Sequence, residues 1–165
     1  MSAGAADRAV APVLFLDIDG VLNRTRHATH IRLDDDLVDR LKAVVEQTQC
    51  EIVLSTFWRH FQEYITYILY RHGIPASHVV GRTPGVSGAS SLSNDPADAA
   101  QYANRAAEIR AWLDAHPGTT RFCILDDRAC AADATLAPNF VQTATEAGLS
   151  EADAARCRAI LLGTP

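Results

Sequence analysis

No excess of basic residues marks this chain. Its 165 residues hold 15 Lys and Arg against 20 Asp and Glu, a formal net charge of −5. The sequence pI of about 5.6 agrees, so no positive field advertises a polynucleotide partner. Long hydrophobic runs are also missing. The apolar stretches are strand-length, far short of the roughly 20 residues that cross a bilayer, and no membrane association is expected. The first residues, MSAGAADRAVAP, carry an acid and no apolar run, which does not read as a secretory signal. Residues 1–11 are expected to be a disordered tail ahead of a single domain at 12–165, large enough to bury one core. Four cysteines, Cys50, Cys123, Cys130 and Cys157, form no C-x-x-C pair and no zinc-like spacing with the six histidines. Cys123, inside an apolar run, reads as a buried free thiol, and the compartment as reducing, hence cytoplasmic. Internal repeats and a domain linker are absent.

What is present is an alternation of strands and helices. VLFLDID at 13–19 is an apolar run that ends in acids. DDDLVDRLKAVVEQTQ sets Leu37, Val38, Leu41, Val44 and Val45 at helical spacing, with acids in the first turn where the dipole favours them. EIVLS at 51–55 is a short buried strand. The stretch 57–72 predicts a helix with Phe57, Trp58, Phe61, Tyr64, Ile65, Ile68 and Leu69 on one core-facing side, stopped by Gly73 with Pro75 beyond. HVVG predicts a third strand, and 82–103, rich in Gly, Ser, Ala, Asp and Pro, a long loop. A helix over 104–115 turns Ile109, Trp112 and Leu113 inward, RFCILDD at 121–127 is another buried strand, and NFVQT is the last. Ser150 with Asp153 forms a capping arrangement for a helix over 150–162. Strands separated by helices predict an α/β fold: a three-layer, Rossmann-like parallel sheet with helices on both faces.

Two hydrophobic strands, 13–19 and 121–127, end in paired aspartates. Ligands of an open parallel sheet bind outside the carboxyl ends of its strands, so Asp17, Asp19, Asp126 and Asp127 are expected to meet at one crevice. Crowded carboxylates repel unless a cation binds or protons are taken up, and hard oxygen ligands of this kind suit Mg²⁺. Asp17 and Asp19, with one spacer, fall on one side of an extended strand. Between strands 13–19 and 121–127 in the sequence, IVLSTFWR is a third buried strand that ends in the hydroxyls of Ser55 and Thr56, donors for a phosphate oxygen. Arg105, near a helix start, supplies the cation a phosphoryl group needs. Metal, carboxylates, hydroxyls and guanidinium together point to phosphoryl transfer.

The segments FLDIDGVLN, IVLSTFWR, RAAEIRAWL and FCILDDR, in this order, resemble the four motifs of the haloacid dehalogenase (HAD) superfamily of phosphatases. The small domains of multidomain "Swiss army knife" RNA-repair proteins are the most similar group. The resemblance implies a Mg²⁺-dependent phosphomonoesterase. Asp17 would be the nucleophile that forms an aspartyl-phosphate, and Asp19 the acid and then the base, its backbone carbonyl also binding metal. Ser55 and Thr56 would hold phosphate with Arg105, which stands where the family usually has lysine. Asp127 would bind Mg²⁺, with Asp126 orienting it or its waters. About a dozen residues separate the first motif from the helix at 34, too few for a helical cap. In this superfamily an open site implies large phosphorylated substrates, here a nucleic-acid or nucleotide phosphate end.

Other readings compete at each position. Strand-end acids can be solvated turn residues, and D-x-D also serves nucleotide-sugar transferases, although those need no second acidic strand end. Gly20 comes too early for a calcium-binding EF-hand loop. Ser55 can cap a turn, Arg105 can pair with Glu108 or Asp98 at the surface, and Arg59 and Arg128 can brace nearby acids. The aromatic helix from Phe57 to Tyr70 reads as core packing, and His27 and His30 as solvated loop residues. At the level of the whole protein the alternatives are a capless phosphatase of a small metabolite or phosphoprotein, and a non-catalytic binding module on the same fold.

Overall fold

A computed structural model of the protein describes residues 10–26, 28–84 and 105–164. Most of the expected tail and most of the 82–103 loop lie outside the described residues, as does His27. The strands are β1 (Val13–Leu16), β2 (Glu51–Leu54), β3 (Val79–Arg82), β4 (Phe122–Asp126) and β5 (Phe140–Gln142). They pair in parallel in the order β3-β2-β1-β4-β5. The helices are α1 (Asp35–Thr48), α2 (Gln62–Arg71), α3 (Arg105–Ala115) and α4 (Glu151–Leu162).

Alternation along the strands sorts the core into two halves. Leu14, Leu16, Ile52, Leu54, Cys123 and Leu125 pack with Leu37 and Leu41 of α1, Ile65 and Leu69 of α2, and Cys157 and Leu161 of α4. Val13, Phe15, Val53 and Ile124 pack on the other side with Ala106, Ile109 and Trp112 of α3. Phe15 meets Trp112 edge to face, ring centroids 5.3 Å apart. Apolar side chains on both faces of central strands are what an all-parallel sheet requires, and the three-layer expectation holds. Each fully buried Leu or Phe contributes about 1.5–3 kcal/mol. The five α1 residues placed inward from spacing alone are all buried, and Ser150 and Asp153 form a reciprocal capping box on α4. No helix among the described residues is long and apolar enough to cross a membrane.

Two local expectations change. Residues Phe57–Phe61 form a 3-10 helix, not the first turn of α2. Its tighter winding shifts the angular phase of the residues ahead of α2, and the single core-facing side splits. Trp58, Ile65 and Leu69 are buried, whereas Phe61 and Tyr64 are exposed, together with Tyr67 and Tyr70. The first strand also ends earlier than residue 19. Asp17 N–H still donates to Leu125 O at 3.0 Å, but Val21 and Leu22 N–H turn back to Ile18 O. The described residues between β1 and α1 are turns and bends, with no helix among them.

Candidate active site

Strand register brings the acids together. Leu16 is level with Leu54 on β2 and with Leu125 on β4. One residue further, Ser55 N–H donates to Leu16 O at 2.9 Å and Asp17 N–H to Leu125 O at 3.0 Å, so Ser55, Asp17 and Asp126 stand in one row. Each lies two positions beyond a core residue of the α3 side (Val53, Phe15 and Ile124), and the row faces the start of α3. The chain leaves β1 toward β2 on one flank and returns to β4 on the other, so this row lies at the topological switch point of the sheet.

Arg105 enters the row from the first turn of α3. Its Nη1 donates to Asp17 Oδ2 at 2.8 Å and to Asp126 Oδ2. All three side chains are buried, as is Asp127. Burial opposes the guanidinium charge, but the Asp17 and Asp126 carboxylates overcome it and hold Arg105 protonated. Backbone N–H groups fix the remaining oxygens: Ile18 N–H on Asp17 Oδ1 and Arg128 N–H on Asp126 Oδ1, each at 2.8 Å. Asp127 Oδ2 accepts from Thr145 Oγ1 at 2.6 Å and lies 3.5 Å from Arg26 Nε. Asp127 Oδ1 is 3.9 Å from Arg128 Nε.

One oxygen from each of Asp17, Asp126 and Asp127 lies within 4.8 Å of the other two. These hard donors carry more negative charge than the one buried guanidinium among them balances, which is a donor set that fits a divalent cation such as Mg²⁺. Burial raises Asp126 to about 7, Arg105 opposing and the charge of Asp17 adding to the rise. A proton on Asp126 competes with a cation. Affinity of this cluster for a divalent cation should therefore strengthen between about pH 6 and about pH 8, with proton release on binding. Titration calorimetry in buffers of different ionisation enthalpy measures both, and a pH-independent affinity would contradict this.

Asp19 is held apart from that cluster. Its Oδ2 accepts from Trp58 Nε1–H at 3.0 Å and its Oδ1 from Asn23 Nδ2 at 2.7 Å. Burial raises its pKa, the Asn23 and Trp58 hydrogen bonds oppose the rise, and Asp17's charge adds to it. A carboxyl so shifted is suited to proton donation. Gly20 lies in the turn that follows Asp19 and packs against Asp127. Its φ is +74°, and a Cβ there would collide with the Asp127 carboxylate, so both conformation and space demand glycine.

A family model described as the HAD domain in Swiss Army Knife RNA repair proteins matches residues 13–154. The chain belongs to that family. Searches of curated proteins and of solved structures returned no significant match. Membership points to a hydrolase of the phosphatase type, and HAD domains typically use a metal ion.

Within this HAD domain Ser55, Asp17, Asp126 and Arg105 converge at the carboxyl ends of the central strands, though not in identical settings. Ser55 Oγ is buried with no hydrogen-bond partner among the described residues. Thr56, also buried, is the turn cap: its Oγ1 accepts from Trp58 N–H at 3.3 Å. Arg105 does not pair with Glu108, which instead lies 3.4 Å from Arg59 in a buried ion pair. Arg128 braces the two fourth-motif acids, and exposed His30 bonds to Thr29. Sequence reading missed Trp58 and Asn23 on Asp19, Thr145 and Arg26 on Asp127, and Thr143, whose Oγ1 donates to Gly20 O at 2.7 Å. Asn23 carried a readable signal, four residues beyond Asp19 in the turn that Gly20 opens. Thr143 and Thr145 carried none, because they arrive from beyond the last strand.

Proposed function

We propose that this HAD domain is a Mg²⁺-dependent phosphomonoesterase working through an aspartyl-phosphate on Asp17. An Asp17 carboxylate oxygen attacks phosphorus, the ester P–O bond breaks, and Asp19 gives its proton to the leaving oxygen. Asp19 then takes a proton from water, whose oxygen attacks phosphorus and frees Asp17 and inorganic phosphate. Ser55 and Arg105 hold the phosphoryl oxygens, and Thr56 caps the turn that presents Ser55. Asp17, Asp127 and the Asp19 carbonyl would bind Mg²⁺, with Asp126 orienting its shell, so that an anionic nucleophile can approach an anionic phosphate.

The observation that carries this reading is the Ser55 hydroxyl. It is buried, level with Asp17 and unpartnered among the described residues. An unsatisfied buried hydroxyl costs about 1–3 kcal/mol, and a phosphate oxygen bound there would remove that cost.

A nucleic-acid or nucleotide phosphate end is the substrate best supported, in keeping with the RNA-repair proteins that define the family. The segment after β1 has no cap helix among its described residues, which leaves the strand ends accessible on that side. Aromatic side chains also lead away from the acids. Phe61 lies 6.2 Å from Trp58, which bonds Asp19, and Tyr64, Tyr67 and Tyr70 follow exposed on α2. Single-stranded bases stack on such surfaces without sequence preference. The net charge of −5 favours the second reading, a small phosphometabolite or phosphoprotein. In either reading the domain works in the cytoplasm.

Turnover of 4-nitrophenyl phosphate and of 3′- and 5′-phosphorylated oligonucleotides, each with and without chelator, tests this. Mg²⁺-dependent hydrolysis with the lower KM on oligonucleotides is expected. Unchanged rates in excess chelator would overturn the mechanism, and a higher KM on oligonucleotides would favour the metabolite reading.

A further inference from the structure

Two side chains donate hydrogen bonds to the Asp19 carboxylate: Asn23 and Trp58. Asn23 belongs to the segment that follows β1, as Asp19 does. Trp58 belongs to the exit of β2. There the Thr56 hydroxyl accepts Trp58 N–H at 3.3 Å, and Ser55, whose hydroxyl faces the row of acids, is three residues away. Trp58 is buried, with Phe57 against its ring at 5.3 Å, so its indole is fixed from several sides.

We infer that the Trp58 indole N–H is a positioning group, setting the Asp19 carboxyl against the phosphate ester held at Ser55. This rests on the phosphatase reading above and adds a residue to it. With Trp58 Nε1 on Oδ2 and Asn23 Nδ2 on Oδ1, the carboxyl plane is fixed while each oxygen keeps a second lone pair for the proton it transfers. Trp58 thus ties the proton donor to the strand edge that holds phosphate. A small displacement of the carboxyl leaves nucleophilic attack intact but misaims the proton.

Leaving-group dependence separates this role from a purely structural one. A 4-nitrophenolate departs with little help from an acid, whereas an alkoxide needs the proton as the bond breaks. Trp58→Phe keeps an aromatic ring and removes the N–H. Its kcat/KM, which reports the step in which the leaving group departs, should fall on both substrates, but about tenfold further on an alkyl phosphate than on 4-nitrophenyl phosphate. Site-specific replacement of Trp58 by 3-benzothienylalanine, which exchanges only N–H for sulfur, guards against misfolding and should give the same split. Equal losses on both substrates, in either variant, would overturn the inference. An inactive wild-type protein would instead overturn the phosphatase reading on which it rests.

Discussion

Asp17→Asn is expected to lose turnover by roughly 10⁴–10⁶-fold, the scale seen when a member of a catalytic unit is removed. The amide is nearly isosteric but cannot attack phosphorus. The fold should tolerate it: Asn keeps an oxygen for Ile18 N–H and relieves the crowding of three buried carboxylates, and although the Arg105 contact on Oδ2 is lost, Asp126 still holds the guanidinium. The expected pattern is lost activity on every phosphate ester with a cooperative unfolding transition retained. Kinetics and thermal unfolding on one preparation decide it. Retained turnover would exclude Asp17 as the nucleophile, and a collapsed melting temperature would assign it a structural role.

The second large effect belongs to Arg105. Its Nη1 serves Asp17 and Asp126 together, deep in the protein. Arg105→Ala leaves two buried carboxylates facing each other without that cation, and breaking a buried pair in this way costs about 3–5 kcal/mol. The loss should be greatest in chelator and partly restored by Mg²⁺, which offsets the same negative charge. Arg105→Lys should retain much of the stability, since a single nitrogen makes both bonds and an ammonium can replace it. Denaturant unfolding of the three proteins with and without Mg²⁺ is the check. An alanine variant as stable as wild type in chelator would mean that the guanidinium does not balance the acids.

Much of this site was legible because its logic is one of parity. Phe15 and Asp17, Val53 and Ser55, and Ile124 and Asp126 are each two residues apart, so every polar end inherits the direction of a core neighbour. Asp19 follows another rule. The chain leaves the strand after Asp17, and a turn whose shape depends on Gly20, Thr143 and Asp127 places that carboxyl beside Trp58. None of those contacts is local in sequence. The same limit applies to Phe61 and Tyr64. Their spacing suited a core-facing helix, but Phe61 falls in a 3-10 turn ahead of α2, and Tyr64 lies on the side of α2 away from the core; both are exposed. Ser55 and Thr56 looked equivalent in the sequence. Only the tertiary structure assigns one hydroxyl to capping a turn and leaves the other facing the acids.

The most direct test of the central claim is chemical trapping of the phosphorylated enzyme. Protein turning over a phosphate ester with Mg²⁺ is quenched in acid, reduced with borohydride and analysed by peptide mass spectrometry. An acyl phosphate is reduced under these conditions while a free carboxylate is not, so Asp17, and no other aspartate, should be converted to homoserine. The conversion should vanish in chelator and in Asp17→Asn. Sustained turnover with Asp17 unmodified, or conversion at another residue, would contradict the account.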